Sequence, residues 1–148
     1  MCLDLNPNQR QSKIAEDDII CYKVLDKNYV HDKLTTIFKR SVVNIGKLYT
    51  SEFTFNHDST SVQMGLHSFV HEDDAKKLME YVNRYKSNNE HELNKFAVVV
   101  KCIIPKGSSY YEGNFEYYTD LGREAQNVDS YASNVLIYNE IIHERIQL

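Results

Sequence analysis

The sequence contains no tryptophan, two prolines, five glycines and three cysteines. Each scarcity excludes a class of protein. So little Pro and Gly rules out collagenous and Pro/Gly-rich disordered chains. Cys2, Cys21 and Cys102 are odd in number and form no Cys-x-x-Cys pair, so neither a disulfide framework nor a zinc ribbon is written here. Cys21 and Cys102 each sit in an apolar, strand-like run, where Cys serves as a small hydrophobe. No signal peptide, lipobox or apolar run of membrane-spanning length occurs. The expectation is a cytoplasmic protein with no membrane partner. Phosphate-binding glycine loops, the dinucleotide-binding glycine pattern and the Gly-x-Ser-x-Gly elbow are missing, and no Ser or Cys has the context of a nucleophile. Basic charge is short as well. The net charge is −4, whereas a duplex-binding domain shows a basic face, so nucleic acid is not an expected partner. The local excess from Lys33 to Lys47, with Lys39 and Arg40 between, reads as a solvated basic loop or a small anion-binding edge.

What is present is tyrosine, eleven in 148 residues. Tyr fills strands of antiparallel sheets, and it also offers binding sites a flat apolar face with a polar tip. The length suits one domain, 1–148, with a polar arm over 1–16 that packs through Leu3 and Leu5, and a globular core over 17–148. Residues 19–25, IICYKVL, predict a largely buried first strand. Residues 26–40 carry helix-compatible spacing at Leu34, Ile37 and Phe38 without start signals. Residues 41–55 predict two strand pieces bent at Gly46, and 62–69 a short strand. The next segment is the firmest helix: Ala75, Leu78, Met79, Val82 and Tyr85 form one apolar stripe, and Glu72, Asp73 and Asp74 complement the dipole at its start.

Residues 96–104, FAVVVKCII, form the most apolar run. Such a strand must be covered on both faces and is predicted to be central. Pro105 ends it, Lys106-Gly107 turns, and residues 110–113 resume in extended form. Residues 115–129 show no period and predict a loop with a helical turn. Residues 133–142 predict a last strand. The sum is α+β: a curved or split, mainly antiparallel sheet with one firm amphipathic helix and one or two minor ones.

Three places invite chemistry. Lys23 beside Tyr22 lies inside an apolar strand, where an ammonium needs water or a partner. It either lines a pocket or snorkels at an edge. His67 and Ser68 lie where a strand runs into the helix, whose N-terminus favours anions. They either meet a ligand or serve as a half-buried side chain and a cap. His67 and His71 are spaced i, i+4, but His67 precedes the helix, so no metal is expected. After Pro105, Lys106, Tyr110, Tyr111 and Glu112 crowd together with two serines. They suit a base, a phosphate and ribose hydroxyls, or else form a tyrosine-rich hairpin. Tyr22, His67, Tyr111 and Ser133 are expected to approach one cavity.

The ordered elements CYKVL, GLHSF before an Ala-bearing helix, VKCIIPKGSSYYEG and YASNVLIY resemble a family of small uncharacterised proteins of phages and prophages. The resemblance runs over about residues 19–142. It implies an accessory or counter-defence role: sequestering a nucleotide-derived signal or blocking a host protein. The chain also resembles, more loosely, the ADP-ribosyltransferase fold, a split antiparallel sheet gripping NAD. That likeness would put the first-strand residue at Tyr22 or Lys23, a second motif at Tyr49-Thr50-Ser51, and a catalytic Glu at Glu112 or Glu140, with His67 as a further candidate. Without a convincing catalytic set, the leading expectation is a non-enzymatic binder of a nucleotide-like small molecule. It needs no cofactor; NAD enters only with the transferase alternative. An inhibitor acting by protein–protein contact is the third class.

Overall fold

The run at 95–104 alternates between two cores. In the computed structural model, which describes residues 3–37, 40–87, 95–119 and 124–144, it is a strand of ten residues, Lys95–Ile104. Val98, Val100, Cys102 and Ile104 face one apolar cluster, and Ala97 and Val99 face another. All six are wholly excluded from solvent, four of them consecutive, which is why the strand reads as apolar rather than alternating.

Numbered in chain order, the short strands of the arm are β1 (Leu3–Asp4) and β2 (Lys13–Ile14). The first long strand, β3 (Ile19–Asn28), is followed by β4 (Lys33–Thr36) and β5 (Val42–Val43). Then come β6 (Leu48–Thr50), β7 (Thr54–Phe55), β8 (Ser61–Met64) and β9 (Leu66–Phe69). Helix α1 covers Glu72–Ser87. The run described above is β10, and β11 (Ser109–Thr119), β12 (Glu124–Ser133) and β13 (Val135–His143) complete the chain. One sheet joins them in the order β6-β13-β10-β3-β9-β12-β11-β1-β8-β7, and its strand pairs are antiparallel. The sheet curls into a half-barrel. Tyr49 from one end and Tyr110 and Tyr131 from the other pack on the same cluster, so this is the face about which it curls. Helix α1 covers the opposite face with Ala75, Leu78 and Met79, as its stripe predicts. Among the described residues no helix is long and apolar enough to cross a membrane.

The sequence reading is corrected in three places. Residues 26–37 are not helical. β3 continues to Asn28, whose Oδ1 accepts the N–H groups of Val30 (3.0 Å) and His31 (3.2 Å), and Asp32 takes a left-handed conformation (φ 50°). This side-chain turn reverses the chain into β4. Residues 115–119 and 124–129 are strands, not a loop. They supply most of a long hairpin in which β11 and β12 pair from Tyr110↔Ser133 to Thr119↔Glu124. Phe115 and Val128 turn toward the helix-covered cluster, while Tyr110 and Tyr131 further along pack on the other. The minor helices reduce, among the described residues, to one 3-10 turn at Pro7–Gln9. Cys2, Phe38, Lys39, the segment 88–94 and Gly122 lie outside the described residues, as do the side chains of Tyr85 and Lys86.

Candidate functional site

Two strands compete for one edge of β3. β4 pairs with its C-terminal half, from Asn28↔Lys33 to Leu25↔Thr36. β9 pairs with its N-terminal half at the single position Tyr22↔Phe69. Continued in register, each would run over Lys23 and Val24, so each must peel away, and the sheet forks. The wedge between them is a cavity of about 290 Å³, at the small end of the range for small-molecule sites. Its walls come from β3, β4, β5, β6 and β9, with Leu78 of α1, Phe115 of β11, Ser130 of β12 and Tyr138 of β13 closing it.

Lys23 sits at the fork. Its Nζ donates to the carbonyl of His67 at 2.8 Å. At this point β9 has left β3, so the ammonium meets a carbonyl that a continuing ladder would have satisfied. Burial of such a charge is offset only by partners of this kind. Among the described lining residues Lys23 is the one cation, and none is a carboxylate. The cavity is therefore electropositive within walls that are largely apolar and aromatic. On the far wall Tyr49 meets Tyr138 edge to face, with centroids 5.4 Å apart. Burial, then the neighbouring Cys102, Tyr49 and Cys21 side chains, push the Tyr138 phenol up. Tyr22, at the rim, is raised by burial and by Glu72.

The structure brings together four of the residues marked in the sequence: Tyr22, Lys23, His67 and Ser68 all line the cavity. His67 and Ser68 belong to β9, so Ser68 does not cap the helix that starts at Glu72. The cluster after Pro105 lies elsewhere, because its backbone is used by the fold. Gly107 N–H donates to the Ala15 carbonyl, Lys106 N–H to Asp18 Oδ1, and Ser109 N–H to Asn134 Oδ1. Tyr110 stacks edge to face on Tyr131 at 5.6 Å. Tyr111 packs between Phe53 and Phe55. Glu112 pairs with Lys13 at 3.6 Å, and Glu140 with Lys101 at 3.9 Å. Ser133 is fully buried and donates to the Leu66 carbonyl at 3.4 Å. Tyr111 and Ser133 are thus not among the lining residues, although Ser133 pairs with Leu66, which lines the cavity beside His67. Thr36, Thr50, Ser51 and Ser130 line it instead. Of these, Thr50 and Ser51 carry a sequence signal, the Tyr-Thr-Ser triplet. Thr36 and Ser130 arrive only by tertiary pairing.

Cys21 and Cys102 face each other in register across β3 and β10, both buried. Burial pushes the Cys21 thiol from 9.0 to about 11, against smaller opposing effects of Ser68 and Lys23. Burial also raises Cys102 well above its usual range. Buried neutral thiols are inert. Native protein treated with iodoacetamide at about pH 8 should show no label on Cys21 or Cys102 by peptide mass spectrometry, and full label after denaturation. The unfolded chain releases the Cys21 proton first, so its contribution to stability is complete below about pH 9 and is lost as pH rises through about 11. A melting temperature that is flat across that window contradicts the assignment.

Among the described residues no group of three His, Cys, Asp or Glu side chains could hold a metal ion. Compared with protein-family models, with curated proteins and with solved structures, the chain matches none.

Proposed function

We propose that the protein binds a small nucleotide-derived molecule in the fork cavity and holds it without chemistry. The observation that carries this reading is a mostly apolar, aromatic-walled cavity with Lys23 as its described cation and no described carboxylate. Such a lining suits a ligand with a flat body and a negative group. Sequestration of a nucleotide signal is the biology that matches, and it is the role implied by the resemblance to small phage proteins.

A ligand at a hundredfold excess over its Kd stabilises the fold by about 2.7 kcal/mol. For a chain of this length that raises the melting temperature by roughly 5–10 °C. Native mass spectrometry and thermal shift against a nucleotide panel test the reading. One retained ligand with such a shift supports it; no retained ligand and no shift across cyclic nucleotides and ADP-ribose derivatives overturns it. Lys23→Met keeps the aliphatic stem and removes the charge. It should weaken an anionic ligand by roughly tenfold or more, the worth of a charged hydrogen bond.

The transferase reading keeps one supporting observation: Tyr22, Lys23 and the Tyr49–Ser51 triplet line the same cavity. It requires a carboxylate there, and Glu112 and Glu140 are ion-paired outside it. NAD loss in host lysate, abolished by Glu112→Gln or Glu140→Gln in folded protein, would favour this reading.

A further inference from the structure

We propose that Lys23 and Ser68 form an oxyanion subsite that accepts one negative charge, and that the ligand presents it as a phosphodiester. This rests on the nucleotide reading above and adds the charge state that the site selects. The second observation is Ser68 itself. It is 4% exposed, it lines the cavity, and its Oγ has no hydrogen-bond partner among the described residues. Beside it is the Cys21 thiol, a weak sulfur partner whose pKa rise the hydroxyl opposes, which leaves Ser68 Oγ without a strong partner. A buried hydroxyl without a partner costs stability, and it is explained when a ligand oxygen completes it.

The two groups converge. The His67 carbonyl that receives the Lys23 ammonium is part of the peptide unit that leads into Ser68. Ammonium and hydroxyl therefore flank one peptide, and both act on the same Cys21 thiol. An oxyanion between them would accept one charged and one neutral hydrogen bond.

The charge limit follows from electrostatics. With one described cation and apolar walls, each further negative charge would be desolvated without a counter-charge. A phosphomonoester carries about −1.5 to −2 at neutral pH, and a triphosphate more. A phosphodiester carries one. The cavity's volume of about 290 Å³ also favours one nucleoside-sized body over a longer chain.

The test is equilibrium titration of a 3′,5′-cyclic mononucleotide, its 5′-monophosphate, its 5′-triphosphate and the uncharged nucleoside against wild type, Ser68→Ala and Lys23→Met. Melting curves of the unliganded proteins accompany it. The cyclic nucleotide should bind wild type roughly tenfold tighter than the nucleoside, and tighter than the triphosphate. Ser68→Ala should weaken the cyclic nucleotide about fivefold and leave the nucleoside unchanged. Unliganded Ser68→Ala should melt no lower than wild type, because the hydroxyl it removes is unsatisfied. If Ser68→Ala instead lowers the melting point and weakens all four ligands alike, Ser68 is structural and the subsite is overturned. If nucleoside and cyclic nucleotide bind equally and neither variant matters, the subsite fails while the nucleotide reading stands. If none of the four binds wild type, the nucleotide reading falls and takes the subsite with it.

Discussion

Gly113→Ala is expected to lower the melting temperature by roughly 6–12 °C, the equivalent of about 3 kcal/mol in a chain of this length. Gly113 lies in β11, where β1 crosses closest. A Cβ there would run into the Asp4 carbonyl oxygen and press on the side chains of Leu5 and Leu3 at 3.0 and 3.1 Å. The backbone atom cannot swing aside as a side chain would, because Asp4 is held between Asn114 of β11 and Ser61 of β8. Moving β1 opens the small core of Leu3, Leu5, Val62 and Ala132 and detaches the β7–β8 end of the sheet. Calorimetry gives the size of the effect, and hydrogen exchange at 3–5 and 61–64 gives its place. A variant that melts within about 2 °C of wild type, well under 1 kcal/mol, would contradict this account of the arm.

Asn83→Ala should cost about 2 kcal/mol, a fall of roughly 4–8 °C. β13 stops opposite Val99, so Ala97 has no strand neighbour on that side among the described residues. Helix α1 supplies a substitute. Asn83 Nδ2 donates to the Ala97 carbonyl at 3.0 Å, and its Oδ1 accepts the Ala97 N–H at 2.7 Å. One amide side chain thus stands in for a strand and ties helix to sheet. Alanine removes both bonds and leaves two part-buried backbone groups without them. Asn83→Asp is the sharper probe. It keeps the acceptor but sets a carboxylate oxygen against the Ala97 carbonyl, so its carboxyl pKa is raised in the folded state. The stability it retains is present at about pH 4 and lost as pH rises toward 7. Equal losses at both pH values would show that the side chain acts only as a space filler.

β10 and α1 were legible because burial alone writes them: a run of apolar residues covered twice, and a stripe of period 3.6. The β11–β12 hairpin was not. Its polar face carries Asn127 and Asp129, and its inward positions include Ala132 and Ser130, which leave no hydrophobic alternation to read. The turn at Asn28 was hidden for another reason. A single Asx side chain decides between helix and hairpin there, and the spacing of Leu34 and Ile37 is compatible with both. Half of the cavity was legible too. A Lys within an apolar strand and a Ser after a His at a strand end are local anomalies, and Lys23 and Ser68 are among the residues that line it. The fork itself leaves no local trace, because it arises when β4 and β9, some thirty residues apart, contend for the same edge of β3. The tyrosine cluster after Pro105 misleads for a complementary reason. Tyr110 and Tyr111 are as useful for packing sheet faces as for gripping a base, and the structure puts them in the former place.

The most direct test of the fork cavity as the binding site is a backbone amide titration by NMR with the 3′,5′-cyclic mononucleotide. The account predicts saturable shifts at Tyr22, Lys23 and Val24, at Thr36 and Ile37, and at 66–69, with residues 106–112 unmoved. Shifts confined to 106–112, with β3 and β9 silent, would contradict it.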